Sequence, residues 1–218
     1  MKILIAGMAA LLFSAGAVAQ GTTSDGTGGG GISKIGKISV TKFNETNAKG
    51  NAMVSAIKPT SKALSAADQK LMMQVAAGGQ TQLLLSQAAV DKVITQEAKM
   101  LAQSEVEEQT GVSAKLQEIA SAKGFTLSAT PLPETQPALD KMQGMSGQDI
   151  DAFYVKESGV KGHIKLQKTM ATVLAQAKDA DLKKLAAATL PVISMHLTVS
   201  TDVSSRMRGA SAKGSGAK

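Results

Sequence analysis

The chain contains two imidazoles, His163 and His196, and no cysteine. Metal binding or proton transfer would therefore fall to these two rings and to the carboxylates that share their surroundings. Those carboxylates are Glu105 and Glu108, which lie on or beside the apolar face of a helical stretch, with Gln109 one turn beyond Glu105. Gln82 holds a comparable place on an earlier stretch. Two imidazoles and a carboxylate can hold a divalent transition ion with an open position, and such donors suit zinc, manganese or iron better than calcium. The same groups also fit a metal-free buried layer in which each histidine is satisfied by a carboxylate or an amide. Glu105, Glu108, His163 and His196 are thus the candidate metal ligands, and Gln82 and Gln109 the candidate ligand-binding amides. A third use of the histidines is pH sensing: a carboxylate neighbour favours their charged form, and burial opposes it.

Other chemistries find no footing. A ferritin-type di-iron site needs Glu three positions before its histidines, but Val160 and Ile193 stand there. No serine lies in a Gly-x-Ser-x-Gly elbow, and no Walker loop appears. The glycines of residues 28–31 lack the strand-to-helix setting of a dinucleotide loop. No catalytic constellation emerges, so a non-enzymatic role is expected.

Four amphipathic stretches must position the polar residues. Ser65 with Asp68 signals a helix start, since the hydroxyl caps a free amide and the carboxylate suits the positive first turn. Leu71, Val75, Gly78, Gln82, Leu85 and Ala89 then recur in steps of four and three, one face of a helix. Gly78-Gly79 within that run marks a close helix approach or a bend. Ile94, Ala98, Leu101, Glu105, Glu108, Val112 and Ile119 form a second stripe that ends at Lys123-Gly124. Pro131, Pro133 and Pro137 make a crossing connection with a short helix around residues 138–142. Ser146 and Asp149 repeat the cap signature before a third stripe of Ile150, Phe153, Glu157, Val160, Ile164, Ala171 and Leu174, with His163 on its flank. Asp179 and Asp181 open the fourth, which runs Leu182, Ala186, Thr189, Ile193, His196 and Ser200, aims His196 inward and should kink at Pro191. This is an all-α, up-and-down four-helix bundle with one longer crossing between its second and third helices.

Composition agrees. Aromatics are 2% of the 218 residues, so Leu, Val, Ile, Ala and 11 Met must fill the core, which suits close-packed helices. Lys2, an apolar run over residues 3–13 and Ala17-Val18-Ala19 read as an export signal cleaved after Ala19, which predicts a periplasmic protein. The apolar run is too short to span a bilayer, and no later stretch is long and apolar enough. Residues 20–64 read as a Gly/Ser/Thr-rich linker and an irregular arm with one short strand around Ile38, residues 65–205 as the bundle, and residues 206–218 as a basic flexible tail. Removing the signal lowers the formal charge of +7 by one. Arg206, Arg208, Lys213 and Lys218 in the tail suit weak contact with an anionic envelope surface. Nucleic acid is not expected, because no aromatics interleave with the basic residues.

Residues 65–203 resemble the bacterial family named domain of unknown function 4142. The likeness rests on Ser65-Ala66-Ala67-Asp68, Ala76-Ala77-Gly78-Gly79, residues 120–124, Ser146-Gly147, residues 150–154, His163, residues 187–191 and His196-Leu197. The resemblance implies a ferritin-like fold, export and a role in envelope stress tolerance. That family tends to carry Glu in its first helix and Asp-His in its second, where this chain has Gln82 and Glu108-Gln109; His163 and His196 match its later histidines. Two candidate ligands are thereby replaced by neutral amides. The leading expectation is a non-catalytic periplasmic binding module, and the alternative is a metal-binding bundle built on the inner His/Glu layer.

Overall fold

The computed structural model describes residues 31–214, with side chains described through residue 209. The export signal, its cleavage after Ala19, the linker to residue 30 and Lys218 lie outside the described residues. A two-residue hairpin, β1 (Lys34–Ile35) and β2 (Ile38–Ser39), turns on Gly36 at φ +59°, a left-handed conformation that glycine adopts without strain. The helices follow as α1 (Val40–Ser55), α2 (Ala66–Val90), α3 (Gln96–Ala122), α4 (Thr135–Gln143), α5 (Gly147–Tyr154), a π-helical segment (Val155–Gly162), α6 (His163–Gln176) and α7 (Ala180–Gly214). The fold is all-α. Its four long rods are α2, α3, the α5–π–α6 run and α7.

Local signals account for most of the helix ends. Ser65 Oγ accepts from the Asp68 amide, Thr95 Oγ1 accepts from the Ala98 amide, and Gly124 ends α3 at φ +64°. Ser146 takes the extended cap conformation, but its hydroxyl accepts no amide. Asp151, from α5, instead accepts from the amides of Ile94 and Thr95 and so fixes the turn between α2 and α3. α4 falls where the proline-rich connection was expected to carry a short helix.

Two regions depart from the sequence reading. Residues 40–55, assigned to an irregular arm, form α1, which is capped by Ser39 and packs on α7 and α3. Gly50 makes this possible, because a Cβ there would lie 2.3 Å from Val192 Cγ2. The third stripe also slips. The buried positions are Ile150, Tyr154, Ser158, His163, Leu166, Met170 and Val173, whereas Ile164 and Leu174 are exposed. The step of five from Ser158 to His163 is the π pitch, which rotates everything after it relative to an α-helical count. In the other stripes, Ile94 is exposed because it belongs to the turn before α3, while the six α7 stripe residues, Leu182, Ala186, Thr189, Ile193, His196 and Ser200, are all buried. α7 runs unbroken through Pro191 and continues to Gly214, beyond the end expected near residue 205; Arg206 pairs with Glu97.

At one end of the bundle a buried ion cluster joins three elements. Lys123 Nζ lies 2.8 Å from Asp179 Oδ2 and 3.0 Å from Asp181 Oδ2, and it donates to the Thr60 carbonyl. Burial opposes ionisation of Asp181, but hydrogen bonds from the Thr60 amide, Lys123 and the Thr60 hydroxyl outweigh it and hold the carboxyl at about 2. Its contribution to stability is therefore present above the ordinary carboxyl range and is lost as pH falls through about 2. Removing the cation strands two buried carboxylates, so Lys123→Met should cost about 3–5 kcal/mol in urea unfolding at pH 7. Asp181→Asn should flatten the acid limb of stability between about pH 4 and pH 2.

Candidate metal centre

The apolar core is interrupted halfway along the bundle. One buried cluster, including Val75, Val112, Leu166 and Ile193, fills one end, and another, including Phe43, Leu85, Leu101, Tyr154 and Val199, fills the other. Between them each rod contributes polar side chains: Gln82 from α2, Glu105, Glu108 and Gln109 from α3, Ser158 and His163 from the π–α6 run, and His196 from α7. All are at least 96% buried, and α1 adds Asn47 from the flank. The six residues singled out from sequence therefore fall in one layer.

Glu105 is its centre. Its Oε2 lies 2.9 Å from His163 Nε2 and 3.2 Å from His196 Nδ1, while its Oε1 accepts from Gln109 Nε2 at 3.0 Å. Glu105, His163 and His196 each offer a donor atom, and these atoms lie within 4.8 Å of one another. Glu108 Oε2 is 3.3 Å from His196 Nδ1, and neither Glu108 oxygen receives a hydrogen bond.

The far side of each ring is anchored. The Ser158 carbonyl can only accept, so His163 Nδ1 donates to it, at 3.1 Å. Gln82 Nε2 donates to the same carbonyl, and Gln82 Oε1 accepts from the Ser158 hydroxyl. His196 Nε2 donates to Asn47 Oδ1 at 2.8 Å, and its ring stacks on Phe43 with centroids 5.3 Å apart. These partners fix the tautomers and direct His163 Nε2 and His196 Nδ1 toward the carboxylates. The two glutamines make orienting hydrogen bonds: Gln109 holds Glu105, and Gln82 holds the carbonyl that holds His163. Glycines make room for both amides. A Cβ on Gly79 would lie 2.9 Å from Gln109 Oε1, and one on Gly162 would overlap the Gln82 amide at 2.3 Å.

Asn47, Phe43 and Ser158 were not singled out from sequence. The signal for the first two was present: Phe43, Asn47, Gly50 and Val54 recur in steps of four, three and four after Ser39, a capped helical stripe among many polar residues. Ser158 could not be placed, because the π turn sets its phase.

Without a cation the layer must balance its own charge. Burial opposes the charged form of His163, but the Glu105 carboxylate beside it raises its pKa to about 9. Burial likewise opposes ionisation of Glu105, and the two histidines hold its carboxyl far below the usual range. Burial and the Glu105 charge push Glu108 well upward, and burial lowers His196. The metal-free layer is thus one imidazolium–carboxylate pair beside a neutral carboxyl and a neutral imidazole.

The family model for "Domain of unknown function (DUF4142)" matches residues 54–202, more than half of the chain, and the chain belongs to that family. The match includes Glu105, Glu108, His163 and His196 but begins after Asn47 and Phe43. No curated protein and no solved structure matches the chain.

The His163 value has a definite sign. Its pairing stabilises the fold fully below the ordinary histidine pKa near 6.5 and is lost as pH rises through about 9. NMR of the chelator-treated protein should show one imidazole titrating near 9 and the other staying neutral, with the high value abolished in Glu105→Gln.

Proposed function

We propose that this member of the DUF4142 family binds one divalent transition-metal ion in its central layer and acts as a binding protein of the cell envelope rather than as an enzyme. The observation that carries this reading is the direction of the two imidazoles. Both outer nitrogens are committed as donors, to Ser158 and to Asn47, so the inner nitrogens converge on Glu105 and Glu108. Metal-ligating histidines are characteristically held this way, their second nitrogen donating to a carbonyl or amide. The separations from Glu105 to each histidine and from His196 to Glu108, 2.9–3.3 Å, suit one ion, since bonds of about 2.0–2.1 Å place neighbouring ligands of a tetrahedron about 3.3 Å apart. The donors of Glu105, His163 and His196 all lie within 4.8 Å of one another. Zinc, manganese and iron fit this nitrogen and oxygen set.

A metal-free charge layer would account for Glu105 and His163. It leaves the neutral Glu108 carboxyl buried without a hydrogen bond, and the lone pair of a neutral His196 facing the Glu105 carboxylate. A cation among the four groups resolves both. Binding rather than turnover is supported by the amides at Gln82 and Gln109, which leave too few carboxylates for a di-iron pair. The export pattern at the N-terminus supports the envelope location, and the resemblance to exported ferritin-like bundles supports a role in stress tolerance. Arg206 is engaged by Glu97, so contact with an anionic envelope surface would fall to Arg208 and the residues beyond.

Protein purified without a metal-affinity tag should carry or take up one equivalent of zinc, and cobalt in its place should give the intense visible bands of a tetrahedral site. The His163→Ala, His196→Ala double variant should lose the metal. Asn47→Ala should weaken zinc about 10–100-fold while leaving all four ligands in place. A protein that binds no zinc, manganese or iron, and whose Tm ignores all three, would overturn the reading.

A further inference from the structure

Alongside the metal layer, whose Gln82 forms part of one wall, a cleft of about 790 Å³ lies between α2 and the π–α6 run and is bordered by α4 and the loop before it. That volume is in the range of small-molecule sites. Its lining follows α2 from Ala66 to Leu85, about 28 Å at the helical rise, so the cleft is a trough rather than a bowl. Apolar side chains line it: Met73, Ala77, Leu85, Leu132 and Leu166. Gly78 keeps it shallow at mid-length, since a Cβ there would lie 3.1 Å from Leu166 Cδ2. Met73 is 48% exposed, a large apolar side chain turned to the trough without cover.

The edges are cationic. Lys161, Lys165 and Lys168 recur in steps of four and three along one wall, and Lys70 stands on the α2 wall. Glu157 answers Lys161, and Glu134 answers Lys165. Lys70 and Lys168 have no anionic partner among the described residues. Four lysines against two glutamates leave the trough with a positive margin beside an uncovered apolar floor.

We propose that this trough binds a single-chain anionic amphiphile, its alkyl chain along Met73, Ala77 and Leu166 and its headgroup at Lys70 and Lys168. The elongated apolar floor selects one chain, and the unanswered charges select an acid over an alcohol or an amine. A carboxylate and a phosphate satisfy this chemistry equally, so a free fatty acid and a monoacyl phospholipid are the two sources to separate.

The test is calorimetry on the full chain with palmitate, a palmitoyl lysophosphatidate, hexadecanol and a hexadecyl ammonium salt, each below its aggregation concentration. One equivalent of palmitate or of the lysophosphatidate should bind, and the tighter of the two identifies the source. Binding should weaken with added salt. A Lys70→Glu, Lys168→Glu variant should lose about tenfold or more for the anion while hexadecanol binding is unchanged. Ala77→Phe should fill the trough and abolish binding of both, with helical circular dichroism and zinc stoichiometry retained. Those two readouts keep this proposal separate from the metal reading. Absence of saturable binding by both anions, equal affinity for the ammonium salt, or undiminished binding by Ala77→Phe would each overturn it.

Discussion

A carboxylate with 1% exposure in the middle of a helical bundle sets the terms for everything around it. An isolated charge in that position would not survive; it must be neutralised, paired or coordinated. Glu105 meets this demand by drawing groups from three of the four rods: a glutamine on its own helix, and imidazoles from the two helices opposite. Each of those groups then needs its own partner. The chain of obligation passes through Ser158 to Gln82 on α2, and through His196 to Asn47 on α1. A single buried charge thereby ties five helices together by directional contacts, where apolar packing alone would leave their rotations loosely specified.

The backbone yields where these contacts require it. The π segment places Ser158 and His163 five residues apart on one face, so one turn supplies both the anchoring carbonyl and the ring that it anchors. Gly162 lies where the Gln82 amide must pass, and Gly159 lies against Ser200, whose Oγ would be 2.6 Å from a Cβ there. Irregular helix of this kind is retained mostly at functional sites. Here its cause can be named: regular α-helix would turn either the carbonyl or the ring away from the layer.

The same irregularity limited what could be read from sequence. α7 is regular, and its stripe from Leu182 to Ser200 emerges buried at every position, with His196 inward as expected. Apart from the half-buried Gly78 and Ile94 in the intervening turn, the α2 and α3 stripes hold from Leu71 to Ile119. Helical phase alone nearly determines the inward placement of Glu105, Glu108 and His196; His163, read only onto a flank, is brought in by the step of five before it. The third stripe failed because counting in steps of three and four cannot anticipate a step of five, so Ile164 and Leu174 were turned inward on paper and face solvent in the fold. α1 was missed for a different reason. Its buried face is narrow, and two of its four stripe positions, Asn47 and Gly50, carry no hydrophobic signal. Asn47 is read as polar surface until the histidine it serves is known.

The bundle holds two buried ionic clusters, and the contrast between them bears on function. Around Lys123 every carboxylate oxygen has a donor: Asp179 Oδ1 takes the amides of Asp181 and Leu182, Asp181 Oδ2 takes the Thr60 amide and hydroxyl, and Lys184 reaches Asp181 Oδ1. That cluster is closed, as a structural clamp must be if its desolvation is to be offset. The Glu105 layer is open. Both Glu108 oxygens and Ser200 Oγ are buried without a hydrogen bond, and His163 Nε2 meets only the Glu105 carboxylate with which it is paired. Each orphaned polar group costs about 1–3 kcal/mol, and an apolar residue of similar size at position 108 would remove that cost. A fold able to satisfy its first cluster completely had the means to satisfy the second. Carboxyl oxygens left open beside two histidines, whose outer sides are fully anchored, are what a site needs if its last partner comes from solution.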